Sequence, residues 1–600
     1  MTATQTSGPN PSAETLDPVT IEVVRSLLKH NLDEIELTLC RTAYSSTIYE
    51  VRDMCCGWID VNGSLIAQGR YGLPIFMADL ATSIMPGIER YGLDGFAPGD
   101  VVITNHAESC GQHLNNVVVY SPIFVDDVLT AFTATRAHWA DVGGKAVGSW
   151  ATDSTEIFQE GVQWDTLKVM KGGVQDEEVI RMIQANVRFP DQVLGDMRAQ
   201  ITACRLGERR FLEMAEKYSM ATVSACVERI WDQSEQRARS VVEDIPDGTY
   251  RASAFLDNDG VIFDETLNVD VAVIVDGSEM TVDLTGTHKQ ARGPMNCGIA
   301  GALAAARVAF KCITSPGSTP DEGAFRPLHL EVPLGTFVSA VSPAPLAQWS
   351  TPLPTVIEAI LTALAPAIPD QVPAAHMGDL AANFIYQQAT ADRPGFIHAD
   401  PFSGGWGARP DSDGPVPLKS YAHGDTYKIG VELEELKYPF RVTRYEFRQD
   451  SGGAGRFRGG PGLDREFDFL EDVMITTSLE RSKCPPWGLM GGHSGAPPVA
   501  TLRTPDGNVE LFNKATMKPV PAGSHLTIST AGGGGYGPPH ERDTEAVARD
   551  VRADFVSLAQ ARDVYGVEFV AEDGSQVDVG ATAELRAKLQ AEYQRTTTDD

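Results

Sequence analysis

The sequence predicts an α+β protein, multi-lobed, with helical blocks set among mixed and antiparallel β regions. Three observations lead there. Some stretches repeat apolar residues at three- and four-residue steps, as helices do. Others are short β-branched runs cut by Gly, Pro and Asp, as strands and turns are. The two kinds occur in blocks rather than in a regular βαβ alternation. At 600 residues the chain is also too long for one core, since domains usually run to about 100–200 residues.

Taken in order, residues 1–16 are polar and rich in Ser, Pro and Thr, and read as a flexible arm. Residues 17–175 form an N-terminal α/β region. Asp17-Pro18 is an N-cap followed by Pro at the first helical position. Ile21, Val24, Leu28, Leu32, Ile35 and Leu39 then mark one face of a long helix. Asn62-Gly63 is a hairpin turn. Val117–Phe124 and Leu129–Thr135 read as two strands joined near Asp126-Asp127. Residues 176–245 are helical, with breaks expected at Pro190 and Gly195. Residues 246–400 form a central α+β region, which alternates in strand fashion to Leu284 and then turns to a small-residue helix after Cys297. Residues 401–542 form a Gly-rich β region, and residues 543–600 a C-terminal helical tail.

Composition excludes several classes of function. Lys and Arg number 49 against 81 Asp and Glu, a net charge of −32. That field repels phosphate backbones and anionic lipid, so neither nucleic acid nor a membrane surface is an expected partner. The first residues lack the basic and apolar regions of a signal peptide, and no apolar run is long enough to span a bilayer. The 9 cysteines are irregularly spaced and contain no CxxC pair. Reduced thiols in a cytoplasmic protein follow. No GxxxxGK[ST] loop, Rossmann GxGxxG or GxSxG elbow occurs, and Gly532–Gly535 reads as tight turns rather than an anion cradle.

The chemistry-bearing residues concentrate in one window. A hairpin across residues 117–135 brings His113 opposite His138 and Asp141. Imidazoles with a carboxylate can hold Zn²⁺, Mn²⁺ or Fe²⁺ and leave a position open for water. The H-x-x-D spacing of His138 and Asp141 also suits a plain hydrogen-bonded turn. Asp53, at a strand start, is either a ligand or half of a charge pair. Cys55, Cys56 and Cys110 read as nucleophiles or, preferably, as small buried hydrophobes. Asp196 and Gln200 lie one helical turn apart, and either line a cavity or brace neighbouring elements.

These segments resemble the hydantoinase B/oxoprolinase family. The resemblance runs through YEVRDMCCGWIDVNGSLIAQ (49–68), GDVVITNHAESCGQHLNNVVVYSPIF (99–124), RAHWADVGG (136–144), VDLTGTHKQARGPMN (282–296), FSGGWGARPDSDG (402–414) and TAGGGGYGPPHERD (530–543). It implies a B-type subunit of an ATP-dependent cyclic amidohydrolase that opens a hydantoin, 5-oxoproline or related lactam. ATP is held by a partner A-type subunit, which phosphorylates the substrate, so the working form is a hetero-oligomer. A subunit of a ketone carboxylase of the acetone/acetophenone type and a non-catalytic assembly subunit are the alternatives. Carried over position by position, the resemblance implies a divalent metal (Zn, Mn or Fe) on Asp53, His113, His138 and Asp141. Asp141, Arg136 and Asp196 are expected to serve catalysis or substrate contact. The chain departs from the family pattern at Asn105-His106-Ala107-Glu108, at Asn116 in place of an Asp, and at Trp139 in place of a second His.

Overall fold

The computed structural model describes residues 16–76, 80–424, 426–571 and 574–598. The flexible arm expected over residues 1–16 falls almost wholly outside the described residues. The helix Pro18–Thr42 opens the described chain as its cap dictates, with the Asp17 carboxylate accepting from Val19 N–H. Ile21, Val24, Leu28, Leu32, Ile35 and Leu39 are its buried face.

The first sheet has the strand order β2-β1-β5-β4-β3-β6-β7. Its strands are β1 (Met54–Asp60), β2 (Leu65–Gln68), β3 (Val101–Thr104), β4 (Asn116–Val125), β5 (Val128–His138), β6 (Leu167–Lys171) and β7 (Val174–Gln175). Every neighbouring pair is antiparallel. The central hairpin β4–β5 turns on Asp126 and Asp127, both at positive φ (49° and 61°). Two consecutive left-handed residues make the turn whose twist suits antiparallel strands, and Asp tolerates that region better than most side chains.

Helices Glu177–Asn186, Pro190–Tyr218 and Met220–Glu243 follow. Gly195 does not break the second of them. A Cβ there would stand 2.3 Å from the Tyr44 ring, so the glycine admits an aromatic side chain against the helix. One apolar core joins Pro18–Thr42, Pro190–Tyr218 and Met220–Glu243 to one face of the first sheet. A larger core joins the other face to the helices Ile299–Thr314 and Leu353–Leu364 and to the second sheet. That sheet has the order β11-β10-β9-β8, with β8 (Gly248–Leu256), β9 (Leu267–Asp276), β10 (Glu279–Asp283) and β11 (Leu328–Glu331).

The third sheet runs β13-β12-β16-β19 and the fourth β14 (Phe440–Phe447), β15 (Leu463–Phe469), β20 (His525–Ser529), β17 (Val499–Arg503), β18 (Val509–Phe512). The third takes β12 (Ala382–Gln387) and β13 (Phe396–Pro401) together with β16 (Val473–Ser478) and β19 (Lys514–Val520). It therefore draws strands from both sides of residue 400. Beside it the glycine-rich segments pack backbone on backbone. A Cβ at Gly459 would meet Gly533 O at 2.0 Å, and one at Gly533 would meet Trp406 O at 2.0 Å. Gly533 N–H donates to Gly460 O, and Gly453 N–H to Gly533 O. Side chains are excluded there by close approach, which is why the composition is so skewed.

Glu160 links the N-terminal region to the segment that carries Trp349. Its Oε1 accepts from Ser154 Oγ (2.5 Å) and its Oε2 from Leu346 N–H (2.9 Å). Burial pushes its carboxyl from the ordinary 4.5 up to about 7. A carboxyl raised in the folded state stabilises fully below its unfolded value, and that contribution fades as pH climbs through about 7. Glu160→Gln keeps the shape and both contacts without the titration. It is expected to match the parent near pH 5 and to be roughly 1–2 kcal/mol more stable at pH 8, measured by urea unfolding at the two pH values.

Candidate functional site

β1, β5 and β4 are neighbours, and their pairing brings three chain segments to one end of the sheet. Asn116 at the start of β4 pairs with His138 at the end of β5, and Met54 at the start of β1 pairs with Ala137. His138 N–H donates to Asp53 O (3.1 Å) and Asn116 N–H to His113 O (3.2 Å). Asp53, His113, Asn116 and His138 thereby line one cavity of about 50 Å³. At about 10–15 Å³ per water in this measure, it holds a few water molecules. Its other walls include Ile75, Phe76, Trp349 and Phe384.

The two imidazoles stand edge to face, with ring centroids 4.9 Å apart. Burial drives the His113 ring well below its ordinary pKa, and the adjacent His138 adds to this. Burial alone takes His138 down to about 4. Both are therefore neutral at pH 7 and able to act as nitrogen donors. Burial also pushes the Asp53 carboxyl up to about 7. Asp53 Oδ1, His138 Nδ1 and both ring nitrogens of His113 are buried with no hydrogen-bond partner of good geometry. Groups so placed carry a desolvation cost that a ligand can offset.

Two neutral imidazoles and a carboxylate are the right donor types for a divalent ion. Their unpartnered atoms around one cavity fit that use in kind. Among the described residues, however, no group of three or more His, Cys, Asp or Glu side chains is placed as a closed set that could hold a metal ion.

The remaining expected residues lie elsewhere. Asp141 does not reach the cavity, because four donors occupy its carboxylate. Gly143 N–H (3.1 Å) and Arg188 N–H (2.9 Å) bond Oδ1, while Gly148 N–H (3.1 Å) and Arg188 Nη1 (2.9 Å) bond Oδ2. It holds the Gly143–Gly148 loop to Arg188 in the hydrogen-bonded-turn form. Arg136 is fully buried one layer behind the cavity, donating to Ser83 Oγ (2.8 Å) with its guanidinium 5.4 Å from the Phe76 ring centroid. Asp196 accepts from Tyr44 N–H (2.7 Å) and Ser45 N–H (3.0 Å), fixing the turn that leads to Thr47 and Val51 in the cavity wall. Trp139 is turned away, its Nε1 donating to Gln200 Oε1 (2.7 Å). Cys55, Cys56 and Cys110 are fully buried among apolar side chains.

One residue of the site was not evident in the sequence. His423 lines the same cavity from the C-terminal half. Ser420 Oγ lies 2.6 Å from its Nδ1, and its Nε2 is buried without a partner. Burial, helped by Lys419, drives its pKa down to about 3. Its segment is tied to the N-terminal region by Ile75 N–H to Ala422 O (3.0 Å) and Tyr427 N–H to Val51 O (3.0 Å). A lone His in irregular chain, about 285 residues beyond the hairpin, carries no local pattern that would single it out.

Fold and cavity together define an α+β protein with a cavity lined by three imidazoles and a carboxylate. The chain belongs to the hydantoinase B/oxoprolinase family, which it matches over residues 17–539. It is 32% identical to the B-type component of a putative D-/L-hydantoinase from Pseudomonas sp. strain NS671, over 95% of this chain and 98% of that one. The crystal structure of the ATP-dependent caprolactamase from Pseudomonas jessenii superposes with a TM-score of 0.88 at 28% identity, covering 96% of this chain and 100% of that one. Nucleotide-free acetone carboxylase shares the fold, with a TM-score of 0.87 at 18% identity over 96% of this chain and 84% of that one. No helix among the described residues is long and apolar enough to cross a membrane.

Asp141→Asn leaves the cavity's own side chains in place while removing the charge opposite Arg188. It is expected to cost roughly 1–3 kcal/mol of stability by urea unfolding, since a buried carboxylate loses its charge opposite three backbone N–H groups and the solvent-facing Arg188. An unchanged unfolding midpoint would show that the loop does not depend on this carboxylate.

Proposed function

We propose that this chain is the B-type subunit of an ATP-dependent cyclic amidohydrolase, opening a hydantoin, 5-oxoproline or related lactam ring in the cytoplasm. The observation that carries the reading is the gathering of His113, His138 and Asp53 around one buried cavity in a member of this family. ATP is held by a partner A-type subunit, which phosphorylates the ring carbonyl oxygen, in keeping with the absence of a P-loop from this sequence. The activated ring then carries an electrophilic carbon and a phosphate leaving group.

His113, His138 and Asp53 are the side chains that would supply donors to a divalent ion once drawn together, since as placed they do not form a ligand set. Such an ion, when bound, lowers the pKa of water from 15.7 to about 7 and so supplies a nucleophile at neutral pH. The chain's other groups position the water and the walls. His423, its Nδ1 held by Ser420, offers the lone pair of Nε2 as a hydrogen-bond acceptor that orients the attacking water. Attack of a first water forms a new C–O bond and its protons pass to the ring nitrogen as the C–N bond breaks, leaving an acyl phosphate; a second water then displaces phosphate and yields the carboxylate. Asp196, through the 44–45 turn, and Arg136, behind Phe76, keep the walls in place. Trp349, Phe76 and Phe384 exclude bulk water, which strengthens each polar contact inside.

Co-expression with an A-type subunit tests the reading. Ring opening of hydantoin, 5-oxoproline or caprolactam is expected to need ATP and both chains, and the isolated chain is expected to hydrolyse no ATP. The shared fold with acetone carboxylase favours one second reading, a ketone carboxylase subunit. Turnover only with bicarbonate, and a product that gains a carboxyl group, would replace the hydrolase by that reading.

His138→Ala is expected to lower bound Zn, Mn or Fe at least about tenfold by elemental analysis. It should abolish turnover and leave co-purification with the partner intact. Unchanged metal content would remove His138 from the ligand set.

A further inference from the structure

The cavity has a counterpart on the far side of its wall. Three segments make that wall, and their residues alternate between the two sides. Val51, Asp53, Leu73, Ile75 and His423 face the cavity. Gly72, Pro74 and Gly424 face a second space, a cleft of about 620 Å³. Arg52 follows the same alternation, its guanidinium lying 4.2 Å from the Tyr427 ring centroid and 5.7 Å from that of Tyr71. Both tyrosines line the cleft. The wall is sewn by Leu73 N–H to Met54 O (3.3 Å), Ile75 N–H to Ala422 O (3.0 Å) and Tyr427 N–H to Val51 O (3.0 Å). It is one chain layer thick.

The cleft is basic in a chain of net charge −32. Lys29, Arg70 and Lys311 line it, and none of the described residues that line it is an Asp or Glu. Acidic groups stand behind it. Asp33 pairs with Arg70 Nε (3.0 Å), leaving Arg70 Nη2 on the Tyr71 hydroxyl (2.7 Å). Buried Glu36 accepts from Tyr71 N–H (2.9 Å). Lys311 lies beneath the 315–318 turn, its Nζ donating to Ser315 O and Ser318 Oγ, and puts its charge under that side of the cleft. The floor also carries the hydroxyls of Ser318 and Thr319, while the N–H groups of Gly69 and Gly424 are spent on Cys56 O (3.0 Å) and Ser420 O (3.0 Å). A second cleft of about 440 Å³ continues it, sharing Lys29 and Gly317–Pro320 and adding Arg25 and Arg237 against Glu22 and Asp321.

We propose that this cleft binds a phosphoryl group, one chain layer from the site of ring opening. Guanidinium, ammonium and hydroxyl, the groups this cleft presents, are groups that hold phosphate. The identity of the ligand rests on the reading of this chain as the second half of an ATP-driven reaction: it is the phosphorylated substrate or its released phosphate. A nucleotide's phosphates share the chemistry.

Titration of the full-length chain with inorganic phosphate at low ionic strength, followed by calorimetry or ³¹P NMR, tests the site. Phosphate is expected to bind. Lys29→Ala, which removes a cation, and Thr319→Glu, which adds an anion at the floor, are each expected to weaken binding about tenfold or more. Lys518→Ala, outside the cleft, is expected to leave it unchanged. Thermal unfolding at the parent temperature shows that each variant is folded. ADP that displaces phosphate, with the same sensitivity to both variants, assigns the site to a nucleotide. ADP that does not displace it assigns the site to a small phosphorylated molecule. Absence of phosphate binding to the parent chain, or folded variants that bind as the parent does, would overturn the proposal. Phosphate binding in a complex that opens no cyclic amide would leave the site standing and remove the hydrolase reading alone.

Discussion

The register of one hairpin governs the candidate site. Strands β4 and β5 pair so that Asn116 lies opposite His138, which puts His113, three residues before Asn116, within one ring contact of His138. Adding β1 to the free side of β5 sets Asp53 at the same sheet end. A slip of one residue would send every side chain of the strand to the opposite face. The fully buried strand centres, packed against cores on both faces, resist such a slip. The geometry of the site is thus inherited from the burial pattern of a sheet whose bulk has no chemical task.

Dehydration is the second constraint. Three imidazoles and a carboxylate stand in one buried space, and each is shifted toward its neutral form by that burial. In water the same groups would be largely satisfied by solvent. Here they retain unpartnered nitrogen and oxygen atoms, and the surrounding apolar walls raise the strength of whatever they bind. The walls come from both halves of the chain, Ile75 and Phe76 on one side and Trp349, Phe384 and His423 on the other. The site therefore depends on residues 422 and 427 being seated against residues 51–76.

What could be read from the sequence follows from how local each signal is. The α+β class, the long first helix and the β4–β5 hairpin rest on periodicity and on turn residues, and all are present. The meeting of His113 and His138 follows from that hairpin alone. Asp141 was ambiguous because a turn and a ligand set share the spacing H-x-x-D, and only Arg188, 47 residues on, distinguishes them. Gly195 read as a helix breaker because its partner, the Tyr44 ring, lies about 150 positions upstream in the chain. His423 was illegible for a similar reason. Its role depends on two backbone hydrogen bonds to distant segments and on nothing in its own neighbourhood.

The glycine-packed layers in the C-terminal half have a thermodynamic consequence. Where Gly405, Gly459 and Gly533 meet carbonyl oxygens at distances that admit no side chain, cohesion comes from peptide groups rather than from hydrocarbon. Exposing peptide surface lowers the heat capacity of unfolding, while exposing apolar surface raises it. The stability curve of this half should therefore be flatter with temperature than that of the helix-and-sheet half, so that on cooling the N-terminal cores would loosen first.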